Sequence, residues 1–355
     1  RKGSSRSNHG RWQIGGRHSR LMPEGRILKE YPRLTVTVPH PILLLTSLSA
    51  KKSLYDYVLK DAHRFHPDAR LIGADSNPAC LGAQHAEEFI SMPPLSELDP
   101  TGFCAFCIKH RISHVIPTRD GELAFLAETG KILGQENIHV FVAPPEVLSK
   151  CLDKLVFSER LAAVGMPVIP AFSTIAELPN DHLVVKERHG SGSEQIGIDL
   201  TREAAKIHAG KLENPIFQPY VGGREFSAEV WLDKTSRAHG VVLRWRKRVV
   251  SGESHHTVTF RNEEWEDLVV ACVETLGVTG HALAQVIVDE NDSPHIVEIN
   301  PRLGGASPLS LACGLHSIEW FLRETAGEVT SLGSTFKPSP GKSLTREGDR
   351  VTIEL

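Results

Sequence analysis

The first strong hydrophobic signal is residues 41–47, Pro-Ile-Leu-Leu-Leu-Thr-Ser, which is apolar nearly throughout and strand-sized. A run of this kind predicts a strand buried on both faces. Apolar residues then recur at helical spacing over 53–65, and 69–75 (Ala-Arg-Leu-Ile-Gly-Ala-Asp) reads as a second strand. Further strands are expected at 114–118, ending where Arg119-Asp-Gly-Glu-Leu opens a helix, and at 138–142. Strands alternating with helices predict a parallel sheet covered on both sides, an α/β domain over 37–146.

From about 149 the texture changes. A helix is expected to about 164, a Pro-bracketed strand at 167–170, a strand at 183–186 and then a Gly/Ser loop. Beyond Pro215 the pattern is mostly β, with runs at 216–221, 225–232 and 238–244 and a pair at 282–288 and 295–299 separated by a polar turn. Helices interrupt at 263–276 and 307–324, which makes the second half α+β. Residues 331–348, rich in Ser, Gly, Pro and Lys, read as a loop, and 350–355 as one last strand. Residues 1–33 carry many Arg, Ser and Gly, almost no acid and no apolar period, so 1–36 is expected to be a disordered basic tail or a vector remnant. Its Arg/Ser bias also imitates a transit peptide.

Composition narrows the function classes. The 355 residues, 40% hydrophobic and 23% charged, suffice for one large core or two to three smaller ones. A net charge of −3 gives no global electrostatic reason to bind nucleic acid or an anionic membrane. No apolar run approaches the roughly 18–20 residues that cross a bilayer. The 6 cysteines are scattered rather than framed as in a small secreted domain, which favours a reducing, cytoplasmic compartment. Cys104-Ala-Phe-Cys107 has no second pair at zinc-site spacing and is expected to be two packed thiols preceding a helix.

The densest chemistry lies between Gln285 and Arg302. On the strand over 296–300, alternation puts Val297 and Ile299 on one face and Glu298 and Asn300 on the other, with Gln285 beside them on the partner strand. Three oxygen donors on one hairpin face suit Mg²⁺, with Mn²⁺ as a substitute. The Pro, Arg and two Gly that follow directly imply a shaped loop. This run, Glu298-Ile-Asn-Pro-Arg-Leu-Gly-Gly305, resembles the metal-binding signature of the ATP-grasp superfamily. It is most similar to the form found in carbamoyl-phosphate synthase large subunits and the stand-alone carboxylate-amine ligases like them.

The resemblance runs from about 41 to 327, with the remaining motifs in the family's order. It implies an N-terminal Rossmann-like domain followed by an ATP-grasp domain over 147–331, divided into a lid-bearing part (147–215) and a metal and substrate part (216–331), with 332–355 as a C-terminal loop and strand. It also implies ATP as the nucleotide. Lys154 and Lys186 would contact phosphate and base, and the latter follows an apolar Leu-Val-Val at the end of a strand. Gly190, Ser191, Gly192 and Ser193 would close over the triphosphate, although Glu194-Gln195 departs from the family's loop. Gln218 stands where Glu is commoner and would accept from the adenine amino group. The backbone at Tyr220 and Val221 would meet the base edge, and Glu225 the ribose. Arg246 and Lys247 would supply cations to the γ-phosphate or acyl-phosphate, and Arg302 would face the tetrahedral oxyanion. His255-His256 are expected in an exposed loop.

The implied activity is ATP- and Mg²⁺-dependent activation of a carboxylate as an acyl-phosphate, followed by attack of an amine. An amino acid is favoured as the carboxylate because Gly304-Gly-Ala-Ser307 opens a helix and would present N–H groups to it. A small-molecule phosphotransferase and a non-catalytic nucleotide-binding regulator are the competing classes. The expected partners are a small carboxylate and an amine, without nucleic acid or membrane, and a homodimer is open to the chain. There is no Walker A motif and no nucleophile elbow.

Overall fold

The computed structural model describes residues 40–190, 195–328, 336 and 338–355, so the basic tail lies outside the described residues. The first apolar run forms β1 (Ile42–Leu45), with all four side chains buried. The chain then alternates through α1 (Lys52–Phe65), β2 (Arg70–Asp75), β3 (Glu88–Ser91), α2 (Pro100–Lys109), β4 (His114–Ile116), α3 (Asp120–Gln135) and β5 (His139–Val140). Every pairing in this sheet is parallel, in the order β3-β2-β1-β4-β5. Chain order reverses at β1, so the C-terminal ends of β1 and β4 frame the crevice where open parallel sheets bind ligands. Strand β3, a half-exposed Glu-Phe-Ile-Ser at the sheet edge, had no apolar run to announce it. Cys104 and Cys107 lie within α2 rather than ahead of a helix; both are buried, and burial pushes the Cys107 thiol up to about 12.

The single helix expected over 149–164 is two helices, α4 (Pro145–Leu152) and α5 (Lys154–Ala162). Asp153 separates them. It adopts extended backbone angles, and its Oδ1 accepts from the N–H groups of Leu155 and Val156, capping α5. Residues 167–170 are not a strand; Val168 makes an isolated bridge to Ile296. Next come β6 (Leu183–Glu187), β7 (Gly197–Leu200), α6 (Arg202–Ala209) and β8 (Pro215–Pro219), giving an antiparallel sheet ordered β7-β6-β8. Leu183, Val185 and Phe217 pack with Ala205 of α6 on one of its faces.

The rest of the chain builds β9 (Arg224–Leu232), β10 (Ala238–Val250), β11 (Glu253–Phe260), α7 (Glu263–Leu276), β12 (Gly280–Val288), β13 (Pro294–Asn300), α8 (Ser307–Ala312), α9 (Ser317–Thr325), β14 (Ser343–Glu347) and β15 (Arg350–Glu354). Its strands form a seven-stranded sheet, β13-β12-β9-β10-β11-β14-β15. Phe226, Ala228 and Val230 of β9 and Ala282, Ala284 and Val286 of β12 pack with Trp265, Val269 and Val273 of α7. The basic segment lies inside β10, and His255 and His256 belong to β11 rather than to an exposed loop. The helix expected over 307–324 breaks at Gly314, where φ is 102° and a Cβ would stand 2.8 Å from the Phe336 ring. Part of the expected C-terminal loop is β14, paired with β11 and β15.

Asp61 of α1, 3% exposed, joins the N-terminal sheet to the rest by accepting from the Ile318 and Glu319 N–H groups and pairing with His316 Nδ1 at 2.8 Å. None of the described helices is long and apolar enough to cross a membrane.

Candidate functional site

Alternation along the strands of the large sheet sends one set of side chains into the core and the other to a polar face. The register aligns Thr259, Arg244, Ser227, Gln285 and Glu298 in one row across five strands. Val242, Glu229, Leu283 and Asn300 form the adjacent row. A bulge sharpens the expected hairpin: Gln285 pairs with Glu298 but Val286 pairs with Ile296, leaving Val297 as the extra residue. Ile296 and Ile299, rather than Val297 and Ile299, therefore enter the core, while Glu298 and Asn300 keep the polar face.

Asn300 Nδ2 donates to Glu298 Oε1 at 2.8 Å, which leaves Asn300 Oδ1 and Glu298 Oε2 without hydrogen bonds among the described residues. The Gln285 side chain, directly opposite Glu298, likewise makes none among them. A carboxylate and two amides with free oxygens on adjacent strands fit a hard divalent cation.

Cations face this donor set from β6 and α5. Lys186 is 8% exposed and makes no hydrogen bond or ion pair with any described residue. Burial pushes its pKa down to about 8, Glu298 opposes the fall, and Lys154 adds to it. Lys154 Nζ donates to Gly190 O at 2.8 Å; burial lowers its pKa against the pull of Glu298 and Asp120. The preceding residue, Asp153, grips Arg188 with bonds of 2.8 and 2.6 Å, tying the start of α5 to the end of β6. On the large sheet, Arg246 Nη2 donates to Gly252 O at 2.8 Å and Nε stands 3.4 Å from Glu225 Oε2, yet that buried Nε has no hydrogen bond.

Arg244 gives Nε and Nη2 to Glu229 Oε1 at 3.2 and 2.7 Å, while its buried Nη1 has no partner among the described residues. Burial alone would raise the Glu229 pKa; Arg244 and His281, whose Nε2 lies 3.3 Å from Glu229 Oε2, more than reverse this and hold it down to about 2. An orphaned buried donor costs roughly 1–3 kcal/mol. Two on one polar face, opposite an ammonium that is unpaired among the described residues, fit an anionic group with many acceptor oxygens, such as a phosphate chain.

Residues 151–306 match the family model of the ATP-grasp domain. The matched stretch, less than half of the chain, is similar to ATP-grasp domains. Over 246 residues, 59% of its length, the chain is 23% identical to the carbamoyl phosphate synthase large chain of Pyrococcus furiosus, and it spans only 23% of that protein. A solved biotin carboxylase domain of the Hydrogenobacter thermophilus 2-oxoglutarate carboxylase, a dimer in complex with MgADP, ADP and bicarbonate, aligns with a TM-score of 0.67 at 16% identity. That alignment covers 86% of this chain and 74% of the other. An L-amino acid ligase from Bacillus licheniformis aligns at 0.62 and 17% identity over 86% and 79% of the two chains. At these identities the likeness shows the fold, a Rossmann-like parallel sheet followed by the ATP-grasp sheets, as the resemblance implied.

Within the matched stretch, Gln218 is 4% exposed and its Nε2 donates to Ile169 O at 3.1 Å, which turns Oε1 into the remaining acceptor. Tyr220 and Val221 follow β8, with Tyr220 N donating to His182 O at 3.0 Å. Gly190 has φ 107°, a conformation suited to glycine. Ser191, Gly192, Ser193 and Glu194 lie outside the described residues. Lys247 is not brought to the polar face: Arg246 and Arg248 pair with Thr257 and His256, leaving Lys247 as the extra residue of a bulge, exposed and with Nζ 5.8 Å from the Trp245 ring centroid. His256 Nδ1 pairs instead with Thr345 Oγ1 at 3.0 Å.

The expected carboxylate nest at 304–307 is partly spent. Gly304 N donates to Ser307 Oγ at 2.7 Å, and α8 has only 6 residues. Arg302 gives Nε and Nη2 to Asp120 at 2.7 and 2.6 Å and Nη1 to Leu303 O at 3.2 Å. Sequence reasoning missed Glu229, Arg244 and Asp120 as functional candidates. Arg244 was visible as the same-face partner of Arg246, whereas the partner of Asp120 lies 182 residues away.

Proposed function

We propose that the protein is an ATP- and Mg²⁺-dependent ligase that activates a small carboxylate, such as an amino acid, as an acyl-phosphate and passes it to an amine. The products are an amide, ADP and phosphate. The observation that carries this reading is the oxygen set of Gln285, Glu298 and Asn300, electrostatically coupled to the buried Lys186, with none of these oxygens but Glu298 Oε1 and no Lys186 donor paired among the described residues. The likeness of the fold to an L-amino acid ligase and of the sequence to a carbamoyl phosphate synthase large chain supports it.

Gln218, the backbone at Tyr220 and Val221, and Glu225 hold adenosine; Lys154 and Lys186 pair with its phosphates. Gln285, Glu298 and Asn300 hold the metal, for which Mn²⁺ substitutes. Bound there, Mg²⁺ spreads the charge of the phosphate oxygens. A carboxylate oxygen attacks the γ-phosphorus while the bond to the β-phosphate oxygen breaks, and Arg246, backed by Arg244, offsets the charge on the moving phosphoryl group. The amine then attacks the acyl carbon, Arg302 donates to the oxyanion, and phosphate departs with the C–O bond as the amine loses a proton. The free cysteines, with no disulfide among them, fit a reducing cytoplasmic setting.

The test is an ADP-release screen of amino acids and small carboxylates, each with and without amines, with mass spectrometry of products. Amide formed in proportion to ADP is the expected result. A stable phosphorylated product without amide, or no ADP release across the panel, would sink the reading.

A further inference from the structure

The loop that follows β4 is pinned by several side-chain hydrogen bonds. Thr118 Oγ1 donates to Thr46 O and Ser47 O at 2.8 and 3.0 Å. Glu122, fully buried, accepts from Thr118 N, Arg119 N and Ser47 Oγ at 2.6, 3.1 and 2.8 Å. The ends of β1 and β4 are thereby locked together at the crevice where the chain order reverses. Asp120 stands on this platform as the first residue of the 16-residue α3.

Its carboxylate reaches out of the N-terminal sheet to take Nε and Nη2 of Arg302, two residues past β13. The two side chains are 10% and 15% exposed. A guanidinium carries five N–H donors in a rigid plane. The Asp120 fork takes two and Leu303 O a third. The plane is therefore fixed, with the remaining donors on the two terminal nitrogens.

We propose that Asp120 is a positioning residue that aims Arg302 at the oxyanion of the amide-forming step, so that the N-terminal sheet takes part in the second half of the reaction. This rests on the ligase reading. A pair serving only as glue would be one of several between these parts, since Asp61 at the start of α9 and His114 at Thr325 join them as well.

The test uses the full chain with the carboxylate and amine that the screen identifies. ADP release with carboxylate alone reports phosphoryl transfer; amide yield reports the second step. D120N should keep MgADP affinity and carboxylate-dependent ADP release within about threefold, while amide formation falls roughly 10- to 100-fold, the scale of a misplaced or lost oxyanion donor. More ADP is then released per amide. D120E, which retains the carboxylate, should regain most of the coupling. An unchanged ratio of amide to ADP in D120N, or a parallel loss of both steps with weaker MgADP binding, overturns the positioning role alone. A wild-type protein that releases ADP yet forms no amide sinks the ligase reading and this proposal with it.

Discussion

Lys186 gives the sharpest test, because its burial sets a measurable conflict between stability and binding. It stands 8% exposed with no hydrogen-bonding partner among the described residues, and burial lowers its pKa from 10.5 to about 8. That fall corresponds to roughly 3 kcal/mol of penalty on the charged form. Below pH 8 both the folded and unfolded chains carry the proton, so the folded state bears the whole penalty. Between pH 8 and 10.5 the folded chain releases the proton first, and stability rises with pH. By pH 9.5 about 2 kcal/mol should have been regained.

Lys186→Met removes the charge and keeps the apolar stem. At pH 7 it should be more stable than the wild type by about 1–3 kcal/mol, and the difference should shrink toward pH 9.5. Urea unfolding followed by tryptophan fluorescence at the two pH values measures this, and the difference between the proteins cancels groups that titrate in both. Calorimetry should show MgADP binding weakened by roughly 1.5–3 kcal/mol, the scale of a charged hydrogen bond. A variant less stable at pH 7, or a gap that widens with pH, would refute the reasoning.

Three further substitutions probe other parts of the site. Glu298→Gln keeps the acceptor for Asn300 Nδ2 but removes the charge that opposes the fall in the Lys186 and Lys154 pKa values. Mg²⁺-dependent turnover should drop by about 100-fold or more, with little change in the urea midpoint. Gln218→Glu should destabilise the protein by about 1–3 kcal/mol in urea, because Ile169 O loses its donor and meets a carboxylate. Gly223→Ala would put a Cβ 2.1 Å from Val288 O, a backbone atom with little room to yield, so thermal unfolding should report a loss of about 1–3 kcal/mol or more.

The sequence was most legible where a periodic pattern and a local motif coincided. Apolar runs announced β1, β2 and the β12–β13 hairpin, and the alternation of Glu298 and Asn300 gave the polar face. It was least legible where tertiary contacts overrode pattern. Asp153 broke an apparently continuous helix by capping its second half, β3 and β14 depended on neighbouring strands for their hydrogen bonds, and a bulge shifted Val297 off its expected face. The resemblance assigned Arg246 and Lys247 together, whereas the strand separates them, with Lys247 left as the extra residue of a bulge. The link from Asp120 to Arg302 had no local sign, since only folding brings those residues together.

The cross-strand row from Thr259 to Glu298 has an evolutionary consequence. At about 4.8 Å per strand, its four intervals measure roughly 19 Å. A point substitution exchanges one tooth of this comb and leaves its spacing intact. Insertion or deletion of a single residue within β9 or β12 would instead turn the tooth into the core and bring an apolar residue out in its place. Changes of length should therefore collect in the turns between these strands rather than within them.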